Sequence, residues 1–443
     1  MRLINTKTLF VESFDDSQIP KCPYAILSHM WGSEEVLFHE VQDRQADIEG
    51  KAGWRKMAKF CAIARKHGFD YAWIDTCCID KRYSAELSEA INSMYQYYYN
   101  STVCFIYLED VRIYTEDSDN MVTAVQKTRD QIIASVCASR WHTRGWTLQE
   151  FVTPRKRRYF ATDWSEIEDG TDLLDALAKC TGIDETLLEN RDLLRTFCVG
   201  ERMKWASKRQ TTRPEDVVYS LMGLFNVHMP VMYGEGTEMA FKKFQREIMQ
   251  SSFDMTIFAW RAEYESSGLL ARSPADFANV PPMGLWAPWN LAPFSTTNVG
   301  LSIRANITDT QQILDKTKQH HQTYKKPSSD AILLAALQCD VQTPTGQWQI
   351  PMVYLEPVKG ASFFINGKHL QAYRRIRCAE WVTVPSKQLV GCPFEDVLVL
   401  QDEQYDLVRQ ATQQHYSRRE PRHSGFGKDM NGHIREEGQA VRG

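Results

Sequence analysis

Between Tyr24 and Leu108, three short apolar runs alternate with two amphipathic stretches, and that order leaves few folds open. YAILSH (24–29), YAWID (71–75) and VCFIYL (103–108) are of strand length and largely apolar, the pattern of strands buried on both faces. After the first run, Trp54, Met57, Ala58, Cys61 and Ala62 share one helical face, and Gly68 supplies a stop. After the second, Leu87, Ala90, Ile91, Met94, Tyr95 and Tyr98 form another such face, with Ser84 as its N-cap. Strand, helix, strand, helix, strand needs right-handed crossovers, so residues 1–165 are predicted to form an α/β domain with a doubly wound, mostly parallel sheet. RRYFA (157–161) adds a fourth strand after an insertion at 112–140 that carries a helix near 121–137.

The periodicity then changes. Residues 166–255 read as a helical extension packed on the sheet: LLDALAKCTG closes at Gly182, Pro214 opens a helix with Glu215 and Asp216 in its first turn, and MAFKKFQREIMQ makes a third. Residues 256–411 hold short β-like runs (GLSIRANI, AILLAAL, WQIPMVYLE, SFFING, WVTVP, DVLVLQ) between Gly, Pro and Asn, which predicts a separate, antiparallel, β-rich C-terminal domain for binding or regulation. Its removal is expected to leave a folded fragment near 1–255. The tail, 412–443, lacks apolar periodicity and is predicted to be disordered.

Charge and cysteine content narrow the partners. A net charge of −4 over 443 residues gives no field to hold nucleic acid, so nucleic acid is not expected as a main partner. No window of 18 apolar residues exists, so no membrane is expected, and MRLINTKTLF lacks the apolar core of a signal peptide, so a cytoplasmic location is expected. The 11 cysteines include no CxxC pair, which indicates neither a metal site nor a disulfide framework.

Ligands of doubly wound sheets bind beyond the carboxyl ends of the strands. The first strand runs into Ser28, His29, Met30, Trp31 and Gly32; the second ends at Asp75; the third leads to Arg144, Gly145, Trp146 and Glu150. A glycine open to close approach, two indoles, carboxylates and an arginine make a candidate nucleotide pocket. Each has a plainer reading. Trp31 and Trp146 serve equally well as core or rim. Asp75 is the better pocket residue and Asp80 the better turn former. His29 also suits a satisfied strand end, and Arg144 serves either a phosphate or an ion pair. Cys77 and Cys78 have no specific His partner and read as buried thiols.

YAILSHMWG, YAWIDTCCIDK, ELSEAINSMYQYY and RGWTLQE, followed by RMKWASKRQTTRPEDVVYSLMGLF and MPVMYGEG, resemble the fungal heterokaryon incompatibility (HET) domain proteins over roughly residues 1–260. The resemblance implies a role in nonself recognition and cell death. Many relatives carry an NTPase and a repeat domain after the HET domain; this sequence has no GxxxxGK[ST] loop, so a separate NTPase or repeat-containing recognition protein is implied as partner.

The HET segment is in turn similar to TIR domains: ELSEAINS occupies 86–93, and Trp146 precedes Glu150 by four positions, with Thr147 where TIR enzymes usually carry cysteine. That likeness implies NAD as substrate, no required cofactor, Glu150 as catalytic carboxylate, and Ser28, His29, Trp31, Gly32, Asp75, Arg144 and Trp146 around the ligand. Nicotinamide leaves NAD as a neutral molecule, so one carboxylate suffices to stabilise the oxocarbenium-like charge. Self-association for activity is implied as well. The alternative is a non-catalytic TIR-like assembly module that signals through recruited partners.

Overall fold

The computed structural model describes residues 1–15, 22–43, 47–114, 127–285, 292–314, 327–365 and 367–419. The N-terminal sheet has seven strands: β1 (Arg2–Asn5), β2 (Val11–Ser13), β3 (Tyr24–His29), β4 (Tyr71–Trp73), β5 (Val103–Tyr107), β6 (Arg157–Phe160) and β7 (Glu166–Ile167). Their order is β2-β1-β4-β3-β5-β6-β7. The inner pairings β4–β3, β3–β5 and β5–β6 are parallel, whereas β1–β2, β1–β4 and β6–β7 are antiparallel. The sheet is therefore mixed, not mostly parallel, because an N-terminal hairpin and β7 extend its two edges. All six residues of β3 are buried, as its apolar run requires. The chain leaves β3 for β4 on one side and returns to β5 on the other, so the strand order reverses beside the carboxyl end of β3.

The covering helices follow the sequence pattern with small shifts. Helix α1 (Phe38–Asp43) lies within the polar loop after β3, and Gly53 beyond it lets the chain pass close to Glu34: a Cβ there would sit 2.5 Å from the Glu34 carbonyl oxygen. Helix α2 (Ala52–Lys66) buries Met57, Phe60, Cys61 and Ala64, a face turned slightly from the expected one, and gives way to Gly68 at φ +85°. Helix α3 (Asp75–Cys78) begins where the second strand was expected to continue. Helix α4 (Ser84–Asn100) buries Ala90, Ile91, Met94 and Tyr98, with Tyr83 rather than Ser84 at the cap position. Its Glu86 instead fixes the entry, accepting from the Asp80 N–H at 2.7 Å and pairing with Arg2.

In the insertion, α5 (Arg129–Cys137) starts at a Thr128–Gln131 capping box, and the expected helical residues 121–126 lie outside the described residues. Helix α6 (Thr147–Val152) follows, with all six residues buried. Helices Thr171–Thr181, Glu185–Glu189, Val199–Ala206, Asp216–Tyr219, Met222–Phe225 and Thr237–Ser251 make up the extension.

Among the described residues the C-terminal sheet has ten strands, and the expected β runs are all among them. One pairing, Lys368–Ile376 with Phe394–Val399, is parallel in an otherwise antiparallel arrangement. The sheet is not separate from what precedes it. One apolar core runs from Leu3 to Val399 without a break at 255/256. A final helix, Asp402–Arg419, continues past the point where the tail was expected to lose structure, and 420–443 lie outside the described residues. Among the described residues, no helix is long and apolar enough to cross a membrane.

Candidate functional site

A pocket of about 270 Å³ opens at the carboxyl edge of the N-terminal sheet. Glu150 lies at its inner end, 9% exposed on the fully buried α6. The close approach of α6 to the extension needs Gly145, whose N–H donates to the Gln210 carbonyl at 2.8 Å and whose missing Cβ would fall 2.5 Å from Thr211 Cγ2.

The Ser28 hydroxyl donates to Glu150 Oε2 and accepts from Trp141 Nε1 at 2.8 Å, so its orientation is fixed from both sides. Burial pushes the Glu150 carboxyl up to about 8, and the negative charge of Asp75 adds to it. Hydrogen bonds from Ser28 and Tyr98 and the charge of Arg144 oppose the rise. With the folded value above the ordinary 4.5, the stability contributed by the neutral form is complete below about 4.5 and lost as pH rises through 8. Glu150→Gln is therefore expected to match wild type in thermal stability at pH 5 and to exceed it above pH 8. At about 1.4 kcal/mol per pH unit of displacement, the gain is on the order of 3–5 kcal/mol. Equal melting temperatures at pH 9 would contradict the burial argument.

Around this carboxyl, the pocket gathers five of the seven residues predicted beside it: His29, Trp31, Asp75, Arg144 and Trp146. Ser28 stands behind Glu150 and does not line the space. Gly32 does not line it either: its N–H donates to Glu35 Oε1 at 2.6 Å, and Lys56 pairs with the same carboxylate. His29 is buried, and desolvation pushes it down to about 3, so it is neutral. Among the described residues its Nε2 has no hydrogen-bond partner, with Glu35 Oε1 at 3.8 Å. Burial raises Asp75, but Lys81, through its charge and a 3.2 Å hydrogen bond, together with Trp31 Nε1 at 2.9 Å, holds it below the usual carboxylate range. Lys81 also lies 3.6 Å above the Trp31 ring, so this indole is a clamped, exposed rim residue. Asp80 pairs with Arg82, as expected of a turn former. Cys77 and Cys78 are buried thiols, and desolvation pushes Cys77 up to about 12.

The opposite wall had no site residue predicted on it. Thr212, Arg213, Asp216 and Tyr233 come from the extension. Asp216 accepts from Trp146 Nε1 at 3.2 Å and from the Tyr233 hydroxyl at 2.9 Å, and so joins the extension to the helix that carries Glu150. Glu215 accepts from the N–H groups of Gly234 and Gly236 at 2.8 and 3.0 Å, which fixes the loop presenting Tyr233. The only trace of this wall in the sequence is that RQTTRPEDVVYS and MPVMYGEG are among the motifs carrying the resemblance.

Residues 24–117 match the heterokaryon incompatibility protein (HET) family model. The vegetative incompatibility protein HET-E-1 of Podospora anserina is 41% identical over 232 residues, which is 51% of this chain and 16% of that protein. The chain thus matches about one-sixth of that relative's length. No solved structure matches the chain.

Proposed function

We propose that this protein acts in vegetative incompatibility, the nonself recognition and cell death of filamentous fungi, and that its pocket hydrolyses NAD to release nicotinamide. The incompatibility role is supported by the HET match and by the relative's own description. The observation that carries the chemistry is a single buried carboxyl, Glu150, held by Ser28 at the inner end of a pocket on the sheet's carboxyl edge. On this reading the segment 1–165 is TIR-like, NAD is substrate rather than cofactor, and activity rises with self-association. The protein works in the cytoplasm, and a separate NTPase or repeat-containing protein supplies the trigger.

The chemical step needs little. The C1′–N bond breaks with its electron pair leaving on nicotinamide, which departs neutral. The Glu150 carboxylate faces the positive charge that develops on the ribosyl carbon. A water oxygen then adds to C1′ and gives up its proton to the carboxylate. Each of these roles requires Glu150 ionised. Because the free protein holds this carboxyl near 8, kcat/KM is expected to rise about tenfold per pH unit below that value and to level above it. Ser28→Ala removes a hydrogen bond that favours ionisation, so the same limb should move to higher pH. A flat profile between pH 6 and 8 in both proteins would remove Glu150 from the step.

The direct test is incubation of concentrated purified protein with NAD, following free nicotinamide, with Glu150→Ala as control. Cell death caused by a folded protein that releases none would favour the assembly-module reading.

A further inference from the structure

The wall supplied by the extension has a charge pattern that the hydrolysis reading does not use. Among the carboxyl groups that line the pocket, Glu150 is buried and Asp216 is half-buried between Trp146 and Tyr233. Two guanidinium groups line the same pocket, Arg144 half-buried and Arg213 exposed. Neither has a carboxylate partner within ion-pair distance among the described residues. Arg213 lies 4.1 Å above the Tyr233 ring, which orients its plane while leaving charge-assisted donors available. The two arginines are brought to one side because residue 144 bridges with Gln210 and Gly145 N–H bonds to the same residue's carbonyl, so the chain at 210–213 runs beside 144–145. Planar guanidinium forks match phosphate oxygens in pairs, unlike a single lysine charge.

We infer that Arg144 and Arg213 form a diphosphate subsite, so that the pocket takes a dinucleotide or nucleoside diphosphate with its phosphates on these two arginines and its ribosyl end toward Glu150. This rests on the proposed NAD reading and deepens it, since it makes the helical extension a determinant of specificity. A substrate with a cationic ring and an anionic diphosphate matches the pocket at both ends, whereas a nucleoside without phosphate loses the arginine half.

The experiment titrates ADP-ribose into the full-length protein by calorimetry, at low and high salt, for wild type, Arg144→Ala, Arg213→Ala and a control, Arg155→Ala, which is exposed outside this pocket. Each pocket variant is expected to bind about tenfold more weakly, with a smaller salt dependence, while the control binds as wild type. Nicotinamide release from NAD and from nicotinamide riboside is read in the same samples: the pocket variants should lose more kcat/KM for NAD than for the riboside, which has no diphosphate for the arginines to hold. Undetectable ADP-ribose binding by wild type, or affinity unchanged in both pocket variants, overturns the subsite. Binding that weakens as expected without any nicotinamide release upholds the subsite and removes only the hydrolysis reading.

Discussion

Glu150→Gln is expected to lower nicotinamide release from NAD on the order of 100-fold or more, in a protein that keeps its fold. The amide is nearly isosteric and still accepts the Ser28 hydroxyl, which Trp141 holds in place from the other side. It introduces no buried charge and relieves the wild type of one it holds with difficulty above pH 8. What it removes is the negative charge opposite the developing ribosyl cation, and groups that act on transition-state charge in a desolvated site carry effects of this size. The loss should fall on kcat more than on KM, because the arginines and the rim indole would still hold the substrate. In a fungal cell, high-level expression of the wild type should lower NAD and arrest growth, and the Gln variant should do neither. A folded Gln variant that arrests growth as efficiently as wild type would transfer the killing from chemistry to assembly.

How much of this site can be read from the sequence depends on the distance over which its pattern acts. Strands β3 to β6 and helices α2 and α4 are legible because burial on one or two faces imprints a period on consecutive residues. The carboxyl ends of those strands then point to His29, Asp75 and, through the insertion, Trp146 and Glu150. The hairpin at 2–13 is not legible: RLIN and VES are too short to show alternation, although Leu3 and Ile4 are fully buried. TLQEFV gives no hint that Gln149 and Glu150 are inside, since their burial comes from packing on β3 and α4, far away in sequence, where Ser28 holds Glu150. Likewise, nothing periodic links Asp216 or Tyr233 to a sheet edge whose strands ended long before them in sequence. Their place depends on hydrogen bonds between distant segments, Trp146 to Asp216 and Glu215 to the Gly234 loop.

The same long-range packing reverses the expectation that residues 1–255 fold alone. A fragment cut at 255 is expected to be insoluble or molten, with no cooperative unfolding transition. Helix Val199–Ala206 packs Gly200 so tightly on Met283 that a Cβ would lie 2.4 Å from its methyl carbon, and the Gly200 N–H donates to Thr256 Oγ1 at 2.9 Å. Helix Thr237–Ser251 sends Gln245 Nε2 to the Ala271 carbonyl at 2.8 Å. Its Lys242 pairs with Asp402 and Glu403 at 3.1 and 3.0 Å. Beyond the cut, Arg375 is fully buried with its guanidinium on the carbonyls of Phe258 and Trp260, so those residues are locked into the C-terminal sheet. Each large apolar side chain returned to water costs ~1.5–3 kcal/mol. Five or six of them suffice to exhaust a net stability of about 5–15 kcal/mol. The measurement is a thermal or urea transition of the 1–255 fragment beside the full chain, with near-ultraviolet circular dichroism to report fixed aromatic packing. A sharp transition with native-like aromatic signal in the fragment would show that the core closes without the C-terminal sheet and that this sheet serves regulation alone. The expected loss of both would mean that the sheet is part of what holds the pocket wall at Arg213, Asp216 and Tyr233, so that the fragment should also fail to bind ADP-ribose.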